Sequence, residues 1–289
     1  MKNWPQNRCI VNGASLRYFR SGGPSSGGTK SPLPPLVLVH GYTDNALYFS
    51  RAATLLAEHW DVIAYDCRGH GESDRANGNF SDSQRVGDLI GLVEQLGLES
   101  PAMMGHSMGA ATIALAIAHQ PGLSRAIVLE DPAWWEYPTP PTAEEKVALD
   151  AGRMERNKAW HDWVVEMQHA PREEALALRR KDSPLWAEED VQLSLDARLE
   201  FELDLFTYFP QHESPWRSLV PKIDCPALLV IGEDERGGII SVDTANEVST
   251  LNAKFKWSKI DGAGHAIRYD QFDAFMAAVT AFLAPLCAE

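Results

Sequence analysis

Apolar residues gather in short runs separated by longer stretches of mixed polarity. The runs are LVLVH at 36–40, DVIAY at 61–65, PAMMG at 101–105, RAIVL at 125–129, PALLVI at 226–231 and FKWSKI at 255–260. An unbroken apolar run such as LVLV is the pattern of a strand buried on both faces, where no side is left for polar residues. Between the runs the apolar spacing turns helical, over 47–59, 81–96, 110–118, 242–248 and 269–283. Asp44 and Asn45 stand where caps for the first of these helices are needed. Strands alternating with helices require right-handed crossovers, which predicts an α/β fold with a mostly parallel sheet.

The alternation stops between Asp131 and Pro221. That stretch is rich in Trp, Glu and Arg, reads as several helices and holds no good strand. Proline clusters at 137–141 (YPTPP) and within 209–221 mark its ends. The expected organisation is therefore a core over 1–132, a helical cap over 133–220, and the rest of the core over 221–289. The Gly/Ser/Pro-rich segment 21–35 (SGGPSSGGTKSPLPP) cannot bury apolar area and reads as a surface loop joining two strands.

Charge removes several function classes. Lys and Arg total 26 against 40 Asp and Glu, a formal net charge of −14. Nucleic-acid affinity comes mainly from cations neutralising phosphates, so a nucleic-acid partner is not expected. Anionic lipid should repel the chain, and no run reaches the ~18–20 apolar residues of a membrane span. Residues 1–10 lack the apolar region of a signal peptide. Four scattered cysteines (Cys9, Cys67, Cys225, Cys287) signal neither a zinc site nor a disulfide framework. These features lead us to expect a cytoplasmic protein, monomer or homodimer, needing no metal or cofactor.

The sharpest chemical signal is Gly105-His106-Ser107-Met108-Gly109. It follows an apolar run and opens a small-residue helix, AATIALAIA. A serine there must take a strained conformation on a tight strand-to-helix turn, and the flanking glycines relieve the crowding. A serine hydroxyl needs a positioned base. Of nine histidines, His265 in DGAGH stands just past the final strand, on a loop of small residues. The imidazole in turn needs an acid to fix its tautomer. Glu233, Asp234 and Glu235 follow Gly232, while Glu130 and Asp131 end the RAIVL strand. We take Glu235 as the first candidate, Glu130 as the second and Asp234 as the third. An oxyanion needs backbone donors: the N–H groups of Met108 and of Tyr42, in the loop HGYTD, where Gly41 lets the backbone approach.

Taken in order, HGYTDN (40–45), DCRGHGES (66–73), GHSMG (105–109), PALLVIGEDE (226–235) and GAGH (262–265) resemble the alpha/beta-hydrolase superfamily over essentially the whole length. The resemblance implies an eight-stranded, mostly parallel sheet with a helical cap inserted after strand six. It also implies a triad acid at the Glu235 position, usually Asp, or in some members at the Glu130 position. His70 then belongs to a structural turn. Relatives with an aspartate nucleophile, the haloalkane dehalogenases and epoxide hydrolases, are set aside by Ser107.

Substrate contacts are expected from Tyr42, Met108 and the cap, with Trp134 and Trp135 walling the pocket. Trp160, Trp163, Phe201, Phe206, Tyr208 and Phe209 read mostly as cap core. An apolar pocket with few polar groups favours an uncharged ester, lactone or thioester. The expectation is a serine hydrolase acting on a small to medium carboxylic ester or lactone through an acyl-enzyme. Carbon–carbon bond hydrolysis, cofactor-free oxygen chemistry, and a ligand receptor with a vestigial triad are the alternatives.

Overall fold

A computed structural model of the chain describes residues 1, 3–22, 31–135, 142–208 and 214–287. Most of the Gly/Ser/Pro-rich segment, the proline cluster at 137–141 and Phe209 lie outside the described residues. Eight strands form one sheet: β1 (Gln6–Val11), β2 (Ala14–Arg20), β3 (Pro35–Val39), β4 (Asp61–Tyr65), β5 (Ala102–His106), β6 (Ala126–Glu130), β7 (Ala227–Ile231) and β8 (Phe255–Lys259). Their order is β1-β2-β4-β3-β5-β6-β7-β8. From β4 across to β8 every pairing is parallel, while β1 and β2 join antiparallel at one edge. Every residue of β4, β5, β6 and β7 is buried, as continuous apolar runs demand.

The β1–β2 hairpin is absent from the hydrophobic pattern. β1 is QNRCIV and alternates exposed with partly buried positions, as an edge strand does. Its turn is Asn12-Gly13, both at positive φ (48° and 77°), the dipeptide that a tight hairpin turn selects.

Helices α1 (Ser50–Leu56), α2 (Asp82–Gln95) and α3 (Met108–His119) connect the first half of the sheet. The helix expected over 47–59 begins instead as a 3₁₀ turn, Ala46–Phe49, and ends at Leu56. Neither expected cap serves it: the Asn45 side chain reaches Glu200 at 2.9 Å, and the Ala46 N–H donates to Asp66 at 2.8 Å. Between β6 and β7 come α4 (Ala143–His169), α5 (Arg172–Asp182), α6 (Glu188–Leu199), a 3₁₀ turn Leu203–Tyr208 and α7 (Trp216–Leu219), with no strand among the described residues. This is the helical cap inserted after the sixth strand. Helices α8 (Val242–Leu251), α9 (Ile267–Asp270) and α10 (Phe272–Leu283) complete the chain. Apolar side chains form one cluster on each face of the sheet. Among the described residues, no helix is long and apolar enough to cross a membrane.

Candidate active site

The loops at the carboxyl ends of β3, β5, β6, β7 and β8 meet at one edge of the sheet, where an open α/β sheet leaves a crevice. Ser107 lies between β5 and α3 with φ 51° and ψ −116°, a conformation that costs energy for any side-chain-bearing residue. The surroundings impose it. A Cβ on Gly105 would lie 2.6 Å from the Ala110 nitrogen, and one on Gly109 would lie 2.1 Å from the Val39 carbonyl oxygen. The turn is stitched to β6 from both sides: the Ser107 N–H donates to the Glu130 carbonyl at 2.9 Å, and the Ala133 N–H donates to the Ser107 carbonyl at 3.1 Å.

His265 follows β8 on the DGAGH loop. Its Nδ1–H donates to Asp131 Oδ2 at 2.6 Å, which leaves Nε2 as the proton acceptor of the neutral ring. Asp131 is fully buried and also receives the N–H groups of Ile239 at 2.8 Å and Ile240 at 3.0 Å. Burial would lower the imidazole pKa. The hydrogen bond and charge of Asp131, with Glu130 and Asp44 farther off, outweigh it and raise the pKa above its ordinary value. The loop is backed by His106, whose ring centroid lies 4.7 Å from that of His265. His106 Nε2–H donates to the His265 carbonyl at 3.1 Å, and its Nδ1 faces Asp44 at 3.3 Å. Burial would raise the Asp44 carboxyl, but the hydrogen bond and charge of His106 prevail and hold it well below the usual range.

The structure corrects the choice of acid. Glu235 and Asp234 are exposed on the turn after β7, a loop that supplies Asp131 with backbone donors instead. Glu130 is fully buried but faces away: it accepts the Arg268 N–H at 2.9 Å and pairs with the Arg268 guanidinium. Asp131, which ends the same run as Glu130, is the carboxylate brought to His265. The sheet register carries the missed signal. His106 pairs with Glu130 across β5 and β6, so Ser107 and Asp131 are the first residues beyond a level pair of strand ends.

Tyr42 and Met108 line the same cavity as Ser107 and His265. Met108 opens α3, where the first N–H groups have no acceptor within the helix. The Tyr42 hydroxyl bonds the Leu205 carbonyl, fixing the ring against the cap. Trp134 does not reach the cavity. It is buried and stacks on Trp216 with centroids 5.8 Å apart, because the chain leaving β6 turns it into the core and leaves Trp135 on the cavity wall. His70 is buried against backbone carbonyls and His40, and burial lowers its pKa to about 3.

The cavity holds about 530 Å³, within the range of small-molecule sites. Ala111, Leu115, Trp160 and Ile239 give it apolar walls, but Arg85, Arg153 and Arg156 line it too. That departs from the expectation of few polar groups. Among the described residues, no group of three or more His, Cys, Asp or Glu side chains could hold a metal ion.

A parallel sheet crowned by this nucleophile-type turn, with a histidine loop after the last strand and a helical cap over the crevice, defines a hydrolase of the α/β type. The chain belongs to the alpha/beta hydrolase family, whose model matches residues 36–278. It is 27% identical over 281 residues to N-formylmaleamate deformylase of Pseudomonas putida, covering 94% of each chain. Among solved structures, it is similar to an N-formylmaleamic acid deformylase from Pseudomonas putida (TM-score 0.76, 20% identity, 95% of this chain and all of that one). It is also similar to an enol-lactonase from Burkholderia xenovorans (TM-score 0.71, 22% identity, 96% of this chain and all of that one).

Proposed function

We propose that the protein is a serine hydrolase acting on a small carboxylic ester or lactone through an acyl-enzyme. The carrying observation is that Ser107 and His265 line one cavity while Asp131 holds the far side of the same imidazole at 2.6 Å. In this reading Ser107 Oγ attacks the carbonyl carbon as its proton passes to His265 Nε2. Asp131 fixes the tautomer and stabilises the imidazolium that forms. The N–H groups of Met108 and Tyr42 receive the oxyanion. His265 then protonates the leaving group, and water, activated by the same base, hydrolyses the acyl-serine.

A second reading, hydrolysis of an amide, is favoured by the deformylase relative, whose similarity runs over 94% of both chains. The two differ only in the leaving atom that His265 protonates. The test is turnover of matched aryl esters, lactones and N-formyl compounds, with fluorophosphonate labelling, by the wild type and by Ser107→Ala. Loss of both turnover and label in the variant is expected. A variant that hydrolyses as fast as the wild type overturns the proposal; the preferred leaving group decides between ester and amide.

A further inference from the structure

The arginines on the cavity wall point beyond the reaction type to the substrate. Arg153 and Arg156 stand three residues apart on α4, so both guanidinium groups rise from one helix face. Arg85 lines the cavity from α2, on the core side. The three are not equally engaged. Arg85 is buried, pairs with Asp82, which also lines the cavity, and donates to the Phe80 carbonyl at 3.1 Å. Arg153, with a side chain only 13% exposed, lies 3.9 Å from Asp150. Arg156 is exposed and has no ion-pair partner among the described residues, and it lines the mouth of the same space.

Resting on the serine-hydrolase reading, we infer that the cavity takes an acyl compound carrying a free carboxylate, which Arg156 and Arg153 bind while Ser107 attacks the carbonyl. Physical balance gives the reason. A neutral, apolar substrate laid against the Arg156 guanidinium would strip water from it and give nothing back, a costly burial. A carboxylate answers the planar donor fork of arginine with paired, charge-assisted hydrogen bonds. The rest of the chain makes this placement telling. At a net charge of −14 the protein repels an anion at long range, so cations concentrated on one cavity wall are the local exception that an anionic ligand needs.

The experiment compares two esters of equal acyl length, p-nitrophenyl hexanoate and the mono-p-nitrophenyl ester of adipic acid. The wild type should have the higher kcat/KM on the adipate ester, with a preference that shrinks as salt rises. In Arg156→Met and Arg153→Met the adipate-to-hexanoate ratio should fall about 10- to 100-fold, the worth of a charged hydrogen bond. Arg156→Lys should retain part of the preference. Where neither ester turns over, protection of Ser107 from a fluorophosphonate by adipate against hexanamide gives the same comparison. A wild type that favours the neutral partner, or folded Met variants with an unchanged ratio, overturns the inference. Labelling is scored separately: a labelled Ser107 without charge preference refutes only the carboxylate, and an unlabelled Ser107 refutes the reading of the site itself.

Discussion

The choice among carboxylates shows what one residue's position decides. Asp131 and Glu130 are neighbours in sequence, yet one receives His265 and two backbone N–H groups and the other receives Arg268. If Asp131 orients the base, Asp131→Asn should lower kcat by about 10⁴-fold by favouring the wrong imidazole tautomer. Glu235→Gln, on an exposed turn, should stay within about twofold, since surface changes away from a site do little. Steady-state kinetics on the two variants checks both, and equal effects would sink the assignment. The same contact fixes a pH dependence. Only the neutral imidazole accepts the serine proton, and the folded protein raises the pKa of His265. Activity should therefore be full at alkaline pH and fall as pH drops through a value above that of a free imidazole. A kcat/KM profile measures this limb, and Asp131→Asn should move it to lower pH. The meeting of Ser107, His265, Tyr42 and Met108 in one cavity was readable because each stands in a motif that closes a strand. The carboxylate that meets His265 was not, since five carboxylates stood after two strands and only sheet register separates them.

At the scale of elements, the buried pair Glu130–Arg268 ties the end of β6 to α9, immediately after the His265 loop. Neither side chain meets solvent, and the guanidinium also lies over the rings of Phe49 (4.2 Å) and Tyr48 (4.7 Å). Removing one member leaves a buried charge uncompensated, so Glu130→Gln or Arg268→Met should each cost about 3–5 kcal/mol in urea unfolding. The double variant should cost less than the sum of the two. Strict additivity would mean that the pair is not coupled. The legibility of the elements follows the same physics of burial. β3 to β7 were plain in the sequence because strands covered on both faces have no room for polar residues. β1 sits at the sheet edge, half solvated, and β2 beside it interleaves buried with partly buried positions, so neither gives such a run. The turn between them, Asn12-Gly13, is marked by backbone conformation rather than hydrophobicity. Trp134 was misplaced for a related reason: aromatic character says that a side chain packs, and the direction in which the chain leaves β6 says where.

For the whole molecule the question is whether the cap is a separate folding unit. Its own apolar cluster is small, built on Met167, Ala175, Leu176, Val191 and Leu195. Val164, Phe201, Leu205 and Phe206, all from the cap region, pack instead into the large cluster on the sheet. Polar ties run across the same boundary: Arg51 to Asp190 at 2.6 Å, Asn45 to Glu200 at 2.9 Å, and the Trp186 indole to Asp270 at 2.8 Å. Asp270 in turn accepts the Gly264 N–H at 2.8 Å, next to His265. A segment with so little core of its own cannot offset the entropy of ordering its backbone, so the cap should hold its structure only while docked. Urea unfolding should then show one transition, coincident by far-ultraviolet circular dichroism and by tryptophan fluorescence. Trp160, Trp163 and Trp186 place fluorophores in the cap, so a cap that melted first would move the fluorescence ahead of the dichroism. Two separated midpoints would show that the cap has independent stability and that the contacts around Asp270 do not couple it to the His265 loop.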